Sequence, residues 1–184
     1  MATNTARWVK NLDGEHVTGP LVMVGTFQAG STQAIKKGEL LEFTGNSNAA
    51  WVPLDSDFDM SAAYGSGGKI AIAACEIKAG DLAGNYPIYV PRPDDVWEFT
   101  LLSTDDQNPA YGTAVYYSDS ETVTTTAGTN IIGNVCMDSH YPKQGFASDQ
   151  ASIDAGTTRR NVSGGKVHIT IQESNSLYSA LQSS

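Results

Sequence analysis

The chain is short of almost everything from which enzymes build sites. It holds two cysteines and three histidines in 184 residues. Cys75 in KIAIAACEI and Cys136 in NIIGNVCMD both lie in apolar, strand-like runs where a small thiol packs well, so they are expected as buried free thiols rather than a disulfide or a catalytic pair. His16, His140 and His168 have no partner at metal-ligand spacing and are expected as surface or capping residues. Charge of one sign is also scarce: eleven basic residues stand against twenty acidic ones, a net charge of −9. Such a field repels phosphate backbones and anionic lipid and disfavours direct nucleic-acid binding. No apolar run approaches the ~18 residues that span a bilayer, so no membrane partner is expected. The start MATNTARWVKNLDGEH lacks the continuous apolar stretch of a signal peptide, which places the expected site of synthesis and use in a cytoplasm or in something assembled there.

What the chain has instead is the composition of strands and turns. Hydrophobic residues make up 40% and charged residues 17%, and Thr, Ser, Asn and Gly fill much of the rest. The length suits one compact domain that needs no staple. Residues 1–20 read as an extended N-terminal arm without period, 21–173 as a single β domain, and 174–184 as a flexible tail. Within the domain, PLVMVGTF, ELLEFTG and WVPL read as strands, and KIAIAACEI as a central strand, because it is apolar on both faces. NYPIYVPRP carries three prolines and is expected only at an edge or as a strap. DVWEFTLL alternates, with Trp97, Phe99 and Leu101 inward; AVYYSDS, ETVTTTAG and NIIGNVCMD follow. Residues 139–165 read as a long surface loop. KVHITIQ closes the domain with Val167, Ile169 and Ile171 inward and His168 outward. The fold class expected is all-β, a compact antiparallel β-barrel or β-sandwich.

The search for chemistry comes back nearly empty. DSDFD spaces Asp55, Asp57 and Asp59 like the start of a calcium loop, yet Met60 and Ser66 occupy the positions where an EF-hand needs Gly and Glu. A solvated acidic turn is expected there, with weak calcium binding as the alternative. GSGGK is no phosphate loop, since Ala63 and Ile70 stand at its deciding places. No Gly-x-Ser-x-Gly elbow occurs. The pairs Asp94 with Asp95 and Asp105 with Asp106 sit side by side in turns, where neighbours point apart. Tyr116, Tyr117, Trp97 and Trp51 could form an aromatic platform for a sugar or peptide, but aromatics in strands more often fill a core. No catalytic, metal or cofactor residue is assigned, no cofactor is expected, and the chain is expected not to be an enzyme.

Two near-identical phrases, IKKGEL at 35–40 and IKAGDL at 77–82, look like a duplicated strand-opening turn. Gly38 and Gly80 would supply a backbone conformation that bulky residues resist, with Lys36, Lys37 and Lys78 solvated beside Glu39 and Asp81, and with Ile35, Leu40, Ile77 and Leu82 turned to the core. Together with AYGTAVYYSDSETVTTTAGTNIIGNVCMD, these phrases resemble the small decoration or cement proteins of tailed bacteriophage capsids. The shared grammar is a Gly-led strand ending in aromatic and acidic residues (Gly112, Ala114 to Tyr117, Asp119), a Thr-rich hairpin (Val123 to Gly128), and a strand opening with Ile132 and Gly133. The resemblance covers about residues 35–137. It implies a non-enzymatic virion protein on the outer surface of the expanded capsid that bridges neighbouring major capsid subunits and associates with itself, commonly as a trimer. The contact role would fall to the arm at Arg7, Trp8, Val9 and Lys10, with Trp8 either an anchor on the shell or a staple of the protein's own barrel. Gly38, Gly80, Gly112 and Gly133 would be structural. A carbohydrate- or receptor-binding β-module of a phage fibre or tail is the alternative.

Overall fold

The computed structural model describes residues 6–12, 19–27, 34–44, 50–54, 69–81, 83–105, 109–128, 130–136, 166–172 and 178, with only the backbone at Lys10. The chain is all-β. Among the described residues the strands are β1 (Arg7–Asn11), β2 (Leu21–Phe27), β3 (Leu40–Phe43), β4 (Trp51–Pro53), β5 (Ile70–Ala73), β6 (Gly84–Val90), β7 (Asp95–Leu101), β8 (Ala114–Tyr117), β9 (Thr122–Thr124), β10 (Ile131–Val135) and β11 (Lys166–Ile171), with a 3₁₀ turn at Ala79–Asp81.

These strands form two five-stranded rings of identical topology. The first closes in the order β2-β4-β3-β5-β6. In the second, β7 pairs β11, then β10, β8 and β9 follow, and β9 returns to β7. Each ring has one parallel pair, between its first and third strands: Phe27 faces Trp51 in one and Leu101 faces Val123 in the other. The registers match except between β8 and β10, where an irregularity between Ile131 and Gly133 shifts a pairing that runs unbroken between β3 and β5. Val22, Met23 and Val24 face Tyr89, Ile88 and Pro87 as Val96, Trp97 and Glu98 face Thr170, Ile169 and His168. Ile72 and Ala73 face Tyr89 and Ile88 as Asn134 and Val135 face Thr170 and Ile169.

The turns ahead of the second strand of each ring match too. In 36–39 and in 110–113 the fourth residue's amide donates to the first residue's carbonyl, at 3.1 Å in both. The third residue is a glycine at positive φ, 88° for Gly38 and 79° for Gly112, as a type II turn requires. Gly38 N then bonds Ala73 O as Gly112 N bonds Val135 O. The true partner of IKKGEL is therefore PAYGTA, a repeat invisible in letters. Across the first strands only Val22 with Val96 and Thr26 with Thr100 are shared.

IKKGEL and IKAGDL are instead bonded to each other. Ile35 and Ile77 form an antiparallel bridge, each amide donating to the other's carbonyl at 2.9 Å, and both side chains are buried. The expectation for Gly80 is corrected: it sits in the 3₁₀ turn without positive φ, because a helical turn asks nothing that a larger residue could not give. Leu82 lies outside the described residues.

Two apolar layers hold the rings. Phe27, Leu41, Trp51, Ala71, Ala73, Ile88 and Val90 fill the first ring with Ile35 and Ile77. The second layer joins Trp97, Phe99, Val115, Ile132 and Ile169 of the second ring to Leu40, Leu54, Ile70 and Ile72 from the outside of the first. This accounts for β5, buried at all four positions: Ala71 and Ala73 face inward while Ile70 and Ile72 face the other ring. Tyr89 carries the contact further, its ring 5.7 Å from that of Trp97. Burying each such side chain contributes roughly 1.5–3 kcal/mol.

Two further expectations are corrected. The arm is not an arm at 7–11, where it forms β1 and pairs antiparallel with β7; a bulge at Val9 breaks its alternation. NYPIYVP is no edge, since β6 pairs both β2 and β5. Pro87 is tolerated because its carbonyl accepts from Ala74, just past the end of β5, so its missing N–H faces the side where the ladder has already stopped. Gly133 lies near the start of β10, and a Cβ there would stand 2.1 Å from Thr170 O, so it permits close approach of β10 and β11. Residues 139–165 lie outside the described residues.

Candidate interaction surface

The most elaborate polar construction fastens β1 to the second ring. Arg92-Pro93-Asp94-Asp95 forms a type II turn, with Pro second, Asp94 third at φ 67° and Asp95 N donating to Arg92 O at 3.2 Å. The turn delivers Asp95, fully buried, to the start of β7. Its carboxylate accepts from Trp8 Nε1 at 3.2 Å, Asn11 Nδ2 at 3.0 Å, Arg92 N at 3.0 Å, Arg92 Nε at 3.1 Å and Arg92 Nη2 at 3.2 Å. Arg92 Nη2 also donates to Gly19 O at 2.6 Å. One carboxylate thus ties β1 and, through Arg92, the entry to β2 to the β6–β7 turn. A buried charge with this many donors is satisfied, and removing it would strand the guanidinium.

Beside this latch a charged row crosses three strands. Arg7 faces Glu98 and Glu98 faces His168 in register; Arg7 Nη2 lies 3.0 Å and His168 Nε2 3.2 Å from Glu98 Oε2. Burial alone pushes the Glu98 carboxyl up, but the hydrogen bonds and charges of His168 and Arg7 outweigh it and hold the carboxyl below the ordinary glutamate value. His168 does alternate to the outer face as read, yet it is buried there, because Glu98 occupies the neighbouring strand and binds it. Arg7 is the exposed member of the row.

The first phrase is the joint between the rings. Glu39, expected to be solvated, is buried: Lys36 N donates to its Oε2 at 2.7 Å and Ser120 Oγ to its Oε1 at 2.6 Å. Leu40 N bonds Ser120 O, Ala6 N bonds Gly38 O, and Lys36 pairs with Glu121. The hydrogen bond to Glu121 raises the Lys36 amine above its ordinary value. Strand starts are what the phrase marks, but its carboxylate stitches the first ring to the second and its carbonyl anchors the N-terminal strand.

Of the residues expected at a contact surface, the structure brings Arg7, Trp8, Val9 and Lys10 together on β1. Trp8 serves the protein's own sheet: it is half-buried against the second layer and bonded to Asp95. The aromatic platform does not form, because Trp51 and Trp97 are core residues and Tyr117 is half-buried, its hydroxyl donating to Leu54 O at 3.1 Å. Asp55, Asp57 and Asp59 lie outside the described residues, and among those described no group of three His, Cys, Asp or Glu is placed to hold a metal. Cys136 is buried and neither cysteine forms a disulfide; Cys75 is only half-buried, correcting the expectation, and burial pushes its thiol up against the opposing pull of Lys37. No described helix is long and apolar enough to cross a membrane.

In the sequence Arg92 does not stand out, Asp95 enters only as the turn neighbour of Asp94, and Glu39 only as the companion of solvated lysines. The signal for the first two was present in PRPDD, where Pro and Asp sit at the second and third positions of a turn immediately ahead of an alternating strand. Glu39 gave none, since its burial depends on Ser120. No family model, no curated protein and no solved structure matches the chain.

Proposed function

We propose that this chain is a non-enzymatic shell protein that binds the outside of an expanded bacteriophage capsid and reinforces it by bridging major capsid subunits. The observation that carries the reading is the run from Gly112 to Gly133, whose Gly-led strand, threonine hairpin and Ile-Gly strand resemble the decoration proteins and here fold as the adjoining β8, β9 and β10. A net charge of −9 suits an outer surface, away from packaged DNA. Many copies on one lattice gain avidity from individually modest contacts. The contact role passes from Trp8, engaged inside the protein, to the exposed Arg7 on β1. Self-association, which the resemblance puts at a trimer, belongs to the same reading.

The test is to mix purified protein with undecorated expanded heads. Binding in a stoichiometry set by the lattice symmetry, with raised resistance to heat or osmotic shock, supports the proposal. Failure to bind such heads, or location on a tail in micrographs of the particle, overturns it.

A further inference from the structure

The two rings treat one equivalent strand edge differently. In the second ring, the edge of β7 that faces away from β11 is covered by β1, which pairs with Val96 and Glu98. The register makes Val22 and Val24 of β2 their counterparts in the first ring. Pro87 O points to β5, so the Val24 to Pro87 pair exchanges no hydrogen bond, and the N–H and C=O of Val24, and by alternation of Val22, point away from β6. No described strand pairs that edge before Phe27, where β4 begins its single contact. The valine side chains are 53% and 72% exposed. Exposed edges are normally guarded by charge or by a bulge. This one carries neither: residues 20–27 contain no charged side chain, in a chain of net charge −9, and the pairing with β6 runs unbroken from Leu21 to Phe27.

We infer that the β2 edge is a self-association seam, at which β2 of a second copy adds antiparallel about a two-fold axis through Met23. The occupant is argued from the strand itself. Leu21-Val22-Met23-Val24-Gly25 is symmetric in Val-Met-Val, so a dyad at Met23 sets Val22 opposite Val24 of the second copy twice over. Both members of each pair have their backbone groups turned outward, so each pair is of the hydrogen-bonded kind and the seam gains four backbone hydrogen bonds. The side chains meeting on the outer face are β-branched cross-strand neighbours, a favourable pairing, where like charges would repel. The two β2–β6 ribbons then become one continuous sheet. A dyad yields a dimer, so the trimer implied by the resemblance would need a different surface. The seam does not rest on the shell-binding reading.

The test uses the full chain in a Cys75→Ser background. Hydrogen-bonded antiparallel neighbours have Cα atoms about 5.5 Å apart, within disulfide reach. An equal mixture of Val22→Cys and Val24→Cys chains should cross-link on mild oxidation into the mixed dimer, while either variant alone stays largely uncross-linked. In sedimentation equilibrium the parent chain should move toward twice its monomer mass as concentration rises. Val24→Lys should weaken that association at least tenfold and keep the parent's melting temperature at concentrations where the parent is monomeric, since the side chain is exposed. A parent chain that stays monomeric, a mixture that cross-links no better than its components, or a Val24→Lys chain that dimerises like the parent would each overturn the seam. The first of these outcomes would leave the edge to a strand of another protein.

Discussion

At the residue scale, the four glycines that looked alike in sequence separate by what each backbone site demands. Gly133 faces backbone atoms of Thr170 and Ile171, so Gly133→Ala must push two strands apart and is expected to cost about 3 kcal/mol or more. Gly112 has open space but positive φ, so its alanine variant should cost about 1–2 kcal/mol from backbone strain alone. Gly80 has neither constraint, and Gly80→Ala should fall within about 0.5 kcal/mol of the parent. Urea denaturation of the three variants checks the ranking, and equal costs at Gly133 and Gly80 would refute it. Glu98 supplies a second residue-scale expectation. Its folded value is depressed, so the unfolded chain binds more protons in the carboxylate range; the stability it contributes is full above the ordinary glutamate value and is lost as pH falls through the lower folded one. Glu98→Gln should therefore shrink the drop in melting temperature between about pH 7 and pH 3. An acid limb as steep as the parent's would count against this role.

At the element scale, β1 shows how one carboxylate can decide whether a segment is an arm or a strand. Asp95→Ala leaves the partly buried Arg92 guanidinium beside an apolar methyl and removes an acceptor shared by Trp8 and Asn11, so a loss of about 3 kcal/mol is expected. The loss should appear first as faster amide exchange at residues 7–11, because among the described strands only β7 holds β1. Exchange there that stays as slow as in the parent would show that the backbone ladder alone suffices. The same strand marks the limit of what the letters disclosed. Nine of the other ten described strands were legible because alternation or an apolar run survives in each, as in KVHITIQ and KIAIAACEI, while the three-residue β9 was readable only as part of a threonine-rich hairpin. β1 was not, because the bulge at Val9 spoils the period in a five-residue stretch. β6 was legible as a strand but misplaced, since the harm a proline does depends on which side its nitrogen faces. Of the contact residues, only their gathering on one segment was readable; that Trp8 turns inward depends on Asp95, 87 positions away.

At the scale of the whole molecule, the two rings repeat a topology without repeating a sequence, and what makes them one body is that the outside of the first is part of the core of the second. Ile72 is the sharpest instance: it belongs to β5 of the first ring, is wholly buried, and packs in the cluster that holds Trp97 and Ile169. A residue placed there should serve both rings at once. Ile72→Ala is expected to cost about 2–5 kcal/mol by removing buried methyl groups and leaving a cavity. Each ring also has its own tryptophan reporter, Trp51 inside the first layer and Trp97 inside the second. With Trp8 replaced by Phe in both, chains that retain only Trp51 or only Trp97 should each report a single urea transition, and adding Ile72→Ala should shift both midpoints down by the same amount. If the rings were separately stable, the Trp51 signal would move while the Trp97 signal kept its midpoint.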